Sequence, residues 1–140
     1  MSKKLSYTFL ADVKLLDQMI DPIIEALEEI QVDHKLIYKI RLCAEEILTN
    51  VCLYAYRPND GDVHIEYEID SSPKSVKISI SDKGREFNPL NDAEEPEINA
   101  SVEDRKIGGL GLFIVKNTMD EITYKREDNR NILTMIKKFE

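Results

Sequence analysis

Three groups of residues have types and spacings suited to chemistry. The first is Glu46 and Asn50, four residues apart in a stretch of helical periodicity. At ~100° per residue, positions i and i+4 share a helix face, so Asn50 falls ~40° from Glu46. The main apolar stripe (Leu36, Ile37, Ile40, Cys43, Ala44, Ile47, Val51) centres ~130° from Glu46 on the same wheel. Leu42 and Leu53 fall on the other side, so the polar pair is hemmed in by apolar neighbours, while Glu45 faces away. A carboxylate and a carboxamide so placed can offer a base and a metal-coordinating oxygen to one pocket. A solvated helix edge is the plainer account of such a pair taken alone.

The second group is Asp82-Lys83-Gly84, directly after an alternating stretch. The carboxylate can accept from an exocyclic amine, and the glycine lets a flat ring approach the backbone. Asp-x-Gly is also a common turn composition. The third group is Gly108-Gly109-Leu110-Gly111, which holds three of the chain's five glycines just before Leu112-Phe113-Ile114-Val115. Glycine at a helix start lowers helix propensity, and close approach of free N–H groups to a phosphate is one compensation. A hinge or a tight helix–sheet contact is an equal alternative. No Lys-Ser/Thr pair follows these glycines, which excludes a P-loop, and no Gly-x-Gly follows the first strand, which excludes a Rossmann site.

The elements that must position these groups follow from periodicity. Residues 5–10 alternate and read as a strand. Val13, Leu16, Ile20, Ile23, Ile24, Leu27 and Ile30 give a helical stripe over 13–30, with Pro22 placed to kink or split it. Asp33 can cap a second helix running from about His34 to Tyr56. Val63, Ile65, Tyr67 and Ile69 alternate, as do Val76, Ile78 and Ile80, with Ser71-Ser72-Pro73 between them. Residues 110–119 read as a helix, and 121–126 with 131–137 as a second hairpin. The order β, α, α, β, β, loop, α, β, β predicts an α+β two-layer sandwich, with helices on one face of a mixed, mostly antiparallel sheet.

The 140 residues suit one domain. They are 42% hydrophobic, enough for a core, and the net charge is −8. An acidic chain argues against unspecific nucleic-acid binding and against an anionic membrane surface. No apolar run approaches the ~18 residues of a membrane span, and no signal-peptide stretch follows Leu5, so a cytoplasmic location is expected. Between Glu86 and Asp104 there are seven acids and no Lys or Arg, with Pro89 and Pro96. A segment of this kind reads as a long surface loop, and such loops are often lids.

Taken in order, Glu46-x-x-x-Asn50, Asp82-x-Gly84, an acidic loop and Gly109-x-Gly111 form a pattern. The chain resembles the GHKL (Bergerat-fold) ATP-binding superfamily that histidine kinases share. The segments that carry the resemblance are 44–50, 81–89 and 107–112, with Met119-Asp120-Glu121 and Tyr124 also familial. It is most similar to the small stand-alone anti-sigma-factor serine/threonine kinases.

The resemblance implies a role for each matching residue. Asn50 would bind the Mg²⁺ that bridges the ATP phosphates, and Glu46 would be the general base for a substrate hydroxyl. Asp82 would take the adenine amine, with Gly84 beneath the ring. Gly109 and Gly111, with Leu110 between them, would bring N–H groups to the phosphates. Gly108 would hinge an ATP lid over 86–107, and Arg105 and Lys106 at its end could reach a phosphate. A STAS-type anti-sigma-factor antagonist would be the substrate, a sigma factor or analogous regulator the target, and a homodimer the assembly. Two positions depart from the pattern: Tyr54 stands where many relatives have His, and Glu86 where a second Gly is common. The alternative is a nucleotide-dependent binding module that transfers no phosphate. A full histidine kinase is disfavoured, since neither His34 nor His64 has the setting of an accepting helix.

Overall fold

The computed structural model describes residues 2–56, 59–88 and 109–139. Five strands form one sheet: β1 (Ser2–Leu10), β2 (Asp62–Ser71), β3 (Lys74–Asp82), β4 (Glu121–Glu127) and β5 (Arg130–Lys138), in the order β1-β2-β3-β5-β4. All four pairings are antiparallel. The helices are α1 (Leu16–Glu29), α2 (His34–Asn50) and α3 (Gly109–Thr118). This is the α+β architecture expected from the element order.

Strict alternation decides which face of the sheet is dry. Val63, Ile65, Tyr67 and Ile69 of β2 and Val76, Ile78 and Ile80 of β3 are buried, as are Leu133 and Met135 of β5. The register sets Ile65 beside Ile80 and Ile80 beside Leu133, so these side chains share one face. Against it pack Met19, Ile20, Ile23, Ala26 and Leu27 of α1, and Ile37, Ile40, Cys43, Ala44, Ile47 and Leu48 of α2. The 3.6-residue spacing of both sets is what lets one stripe of each helix reach the sheet. Arg41 ties the outer surfaces of the two helices, reaching Asp17 at 3.4 Å, Asp21 at 3.5 Å and Glu45 at 3.3 Å. Glu45 therefore lies on the wet side, as its wheel position implied. None of the helices in the described residues is long and apolar enough to cross a membrane.

Three local expectations change. Pro22 neither splits nor ends α1, which stays helical from Leu16 to Glu29. Asp33 occupies the N-cap position of α2, but its side chain makes no capping bond. Instead its carbonyl accepts from Ile37 N at 3.0 Å. The helix expected to reach Tyr56 is α-helical only to Asn50 and continues as a π-helical turn over Val51–Ala55. A π turn carries more residues per turn, so the ~100° wheel holds for Glu46 and Asn50 but not for Leu53 beyond them.

The centre of the sheet is fastened to α1 by one buried hydrogen bond, from the Tyr67 hydroxyl to the Met19 carbonyl at 2.7 Å. Tyr67→Phe keeps the packing and removes this bond, so unfolding in urea should show a loss of about 1 kcal/mol with an unchanged denaturant slope.

Candidate functional site

The buried face of the sheet ends in polar side chains. Asp82 closes β3, and the register places it directly beside Asn131 at the start of β5. Among the described residues, the buried polar or charged side chains are Asn50, Asp82 and Asn131. All three line one pocket, together with Ile47, Val51, Ala55, Ile80 and Leu133 and the aromatic rings of Phe87 and Tyr124. A buried polar group is costly unless it is hydrogen-bonded, so where three of them converge, their bonds and their remaining capacity define the site.

Asp82 Oδ1 accepts twice, from Gly84 N at 2.8 Å and from Asn131 Nδ2 at 3.0 Å. Asp82 Oδ2 has no hydrogen bond among the described residues, which leaves a fixed acceptor in the pocket wall. Burial raises the Asp82 pKa, against the opposing pull of Asn131, Gly84 N–H and the Arg126 guanidinium. Asn131 is fully employed: Nδ2 also reaches the Arg85 carbonyl at 2.7 Å, and Oδ1 accepts from the Tyr124 hydroxyl at 2.6 Å and Phe87 N at 3.2 Å. One side chain thus holds the acceptor, the turn after β3 and two pocket aromatics.

The turn after β3 is pinned from outside as well. Arg126 donates to the Gly84 carbonyl at 2.8 Å, and Arg85 N donates to the Ala55 carbonyl at 2.9 Å. The Tyr56 hydroxyl accepts from Lys83 N at 2.8 Å and donates to the Asp62 carbonyl at 2.5 Å. Gly84 is required here, because a Cβ would overlap the Ala55 carbonyl at the end of the π turn. Its glycine therefore serves close approach of two backbones, whatever ligand lies above it.

Glu46 and Asn50 meet as their spacing implied: Asn50 Nδ2 donates to Glu46 Oε1 at 3.2 Å. This leaves Asn50 Oδ1 without a hydrogen bond among the described residues, buried and available to a cation. Burial raises the Glu46 pKa, and the Asn50 bond opposes that shift. Glu46 does not line the pocket itself; it lies one helical turn before Asn50, against α3. Among the described residues no cluster of three His, Cys, Asp or Glu could hold a metal. A divalent ion at Asn50 would therefore take most of its oxygens from a ligand, as Mg²⁺ does on phosphates.

Of the remaining expected residues, Gly109 and Leu110 open α3, with Gly111 in its first turn. Gly108, Arg105 and Lys106 lie outside the described residues, as does most of the expected lid. Of the two departures, Tyr54 sits in the π turn and Glu86 is exposed just past the pinned turn. Sequence reasoning did not single out Asn131, Arg126 or Tyr56. For Asn131 the available signal was a polar residue in phase with Leu133 and Met135, but Ile132 and Ile136 made both faces of β5 look apolar.

The model of the histidine kinase-like ATPase domain family matches residues 9–137. The chain is 30% identical over 102 residues to the serine/threonine-protein kinase BtrW of Bordetella bronchiseptica, covering 72% of this chain and 70% of that protein. It is 32% identical over 108 residues to the serine-protein kinase RsbW of Staphylococcus epidermidis, covering 69% of this chain and 62% of that one. Among solved structures, the RsbU and RsbW domains of Rv1364c from Mycobacterium tuberculosis share the fold, with a TM-score of 0.67 at 17% identity, over 97% of this chain and 32% of the other. The chain belongs to the histidine kinase-like ATPase family of the GHKL superfamily, in its anti-sigma-factor serine/threonine kinase branch.

The raised Asp82 carboxyl makes a stability prediction. In the window above the usual carboxylate range the folded state binds more protons at Asp82 than the unfolded state does. This contribution therefore stabilises in acid and is lost as pH rises. Asp82→Asn keeps an oxygen for both bonds and removes the buried charge. Its melting temperature should match or exceed wild type near neutral pH, and the gap should shrink on acidification. A variant that melts lower, and most so at neutral pH, would contradict this assignment.

Proposed function

We propose that the chain is an ATP- and Mg²⁺-dependent serine/threonine protein kinase. Its substrate is a STAS-type anti-sigma-factor antagonist, and it acts by partner switching in the cytoplasm as a homodimer. The antagonist's phosphorylation state decides whether the kinase holds its sigma factor or analogous target. The observation that supports the reading best is the convergence of Asn50, Asp82 and Asn131, the three buried polar side chains of the described residues, on one pocket. The names of the relatives supply the reaction class.

The residues fit the nucleotide at both ends. Asp82 Oδ2 is a fixed acceptor suited to an exocyclic amine, flanked by apolar walls and two aromatic rings that suit a flat base. Asn50 Oδ1, without a hydrogen bond among the described residues, would hold Mg²⁺, which when bound neutralises phosphate charge and aligns the transferred group. Glu46 takes the proton of the attacking hydroxyl; burial raises its pKa, which makes the carboxylate a stronger base. Gly109 and Gly111 present N–H groups of the α3 N-terminus to the phosphates. Gly108 hinges the lid over 86–107 in this reading, and Arg105 and Lys106 at its end reach a phosphate. Residues 1–140 act as one kinase domain.

The test uses purified protein, Mg²⁺, γ-labelled ATP and the antagonist encoded nearby. Label should appear on that protein's Ser or Thr. Glu46→Ala should slow transfer by about 10²–10⁴-fold while leaving ATP affinity within a few-fold. Asn50→Ala should weaken Mg-ATP specifically. Asp82→Asn turns an NH₂ toward the base amine and should weaken ATP by about tenfold or more. Tight Mg-ATP binding with no transfer to any partner would replace the kinase reading by a binding module.

A further inference from the structure

Under the proposed function Gly111 is a backbone donor to phosphate. The packing gives it a second task. A Cβ placed on Gly111 would overlap Glu46 at its carboxyl carbon, at Oε2 and at Cγ. The first turn of α3 therefore lies directly on the carboxyl group. Asn50 holds the other oxygen, Oε1, at 3.2 Å. The carboxyl is fixed between these two: one oxygen bonded to Asn50, the other against the bare Cα of Gly111.

The two crowded glycines at this site differ in what surrounds them. At Gly84 the obstacle is the Ala55 backbone carbonyl, which cannot yield without moving the π turn. At Gly111 the obstacle is the end of a flexible side chain. An added methyl at Gly111 can be accommodated by rotating Glu46 away, which leaves the helix intact and the carboxyl misplaced. A general base must lie within about 2.6–3.2 Å of the proton it takes, and a displacement of about 1 Å can cost 10²-fold in rate.

We infer that Gly111 is a positioning residue for Glu46: its missing side chain lets α3 close on the carboxyl and fixes the direction in which the base points. The inference rests on the reading of Glu46 as the base. It makes the second glycine of the Gly-x-Gly pair answerable to the proton-transfer step as well as to phosphate binding. It also couples the two elements, since a movement of α3 away from α2 releases Glu46.

The experiment is Gly111→Ala, measured in three ways. Transfer from Mg-ATP should fall by about 30-fold or more while the KM for ATP stays within about threefold, consistent with loss of base positioning. In the nucleotide-free protein the Asn50 side-chain amide resonances should shift, because the bond to Glu46 is broken. In a double-mutant cycle, any fall in melting temperature caused by Gly111→Ala should be recovered in Glu46→Ala/Gly111→Ala, where the carboxyl is absent. The recovery decides the matter even where the single variant folds poorly. ATP affinity falling in step with rate, unmoved Asn50 resonances, or no recovery in the double variant would each overturn the inference. Should the wild-type chain transfer no phosphate, the kinase reading fails, yet the resonance and stability measurements still judge the contact.

Discussion

The hydrogen bond between Asn131 and Asp82 is the constraint on which the site depends. Both side chains stand on the buried face of the sheet, where the other buried residues of β3 and β5 are Val, Ile, Leu and Met. Left alone there, a carboxylate would be several kcal/mol out of place. Asn131 and Gly84 N–H both bond to one of its oxygens, and the other has no hydrogen bond among the described residues. The same asparagine holds the Arg85 carbonyl, the Tyr124 hydroxyl and Phe87 N. A one-residue slip of β5 against β3 would turn Asn131 outward and undo all of these bonds at once. Strand register, a property of the fold, is thereby tied to the chemistry of the acceptor.

A second constraint runs along α2. The shift from α to π winding begins right after Asn50, and the turn it creates ends at Ala55, whose carbonyl receives Arg85 N and leaves no room for a side chain at Gly84. The helix that carries Glu46 and Asn50 is thus also the floor for the turn that carries Asp82. The two ends of the pocket are positioned against one another by this continuous piece of backbone. Charge is the remaining problem for such a site. Two acids have raised pKa values, Asp82 in the pocket and Glu46 one helical turn from it, in a chain of net charge −8 whose segment from Glu86 to Asp104 carries seven acids and no Lys or Arg. Were the segment 86–107 to close over ATP as proposed, its acids would oppose the phosphates unless Mg²⁺, Arg105 and Lys106, or a basic partner surface offset the repulsion.

Much of this was legible in the residues. Clean alternation in β2 and β3 gave the element types and the dry face, and the i, i+4 spacing placed Glu46 and Asn50 on one helix face, where they hydrogen-bond. Other features depend on long-range pairing that no local pattern encodes. Asn131 could not be assigned to a face because Ile132 and Ile136 compete with Leu133 and Met135. Its partner Asp82 lies 49 positions earlier in the chain. The π turn was read as plain α-helix because Val51–Ala55 has nothing in its composition to distinguish the two windings. Pro22 does not split α1, which runs unbroken past it with Ile20 and Ile23 buried on either side. The spacing of Gly109 and Gly111 suggests phosphate donors, but no local pattern encodes that Glu46 occupies the space a Gly111 side chain would need.

The central claim is that one pocket holds a nucleotide, with Asp82 and Asn131 at the base and Asn50 at the phosphates. Titration of Mg-ATP into isotope-labelled protein, followed through the side-chain amides of Asn50 and Asn131, tests it most directly. The account predicts that both amides shift together along one saturable isotherm, and that omitting Mg²⁺ diminishes the Asn50 shift more than the Asn131 shift. Saturable ATP binding that leaves both amides unmoved, or moves them with different midpoints, would contradict it.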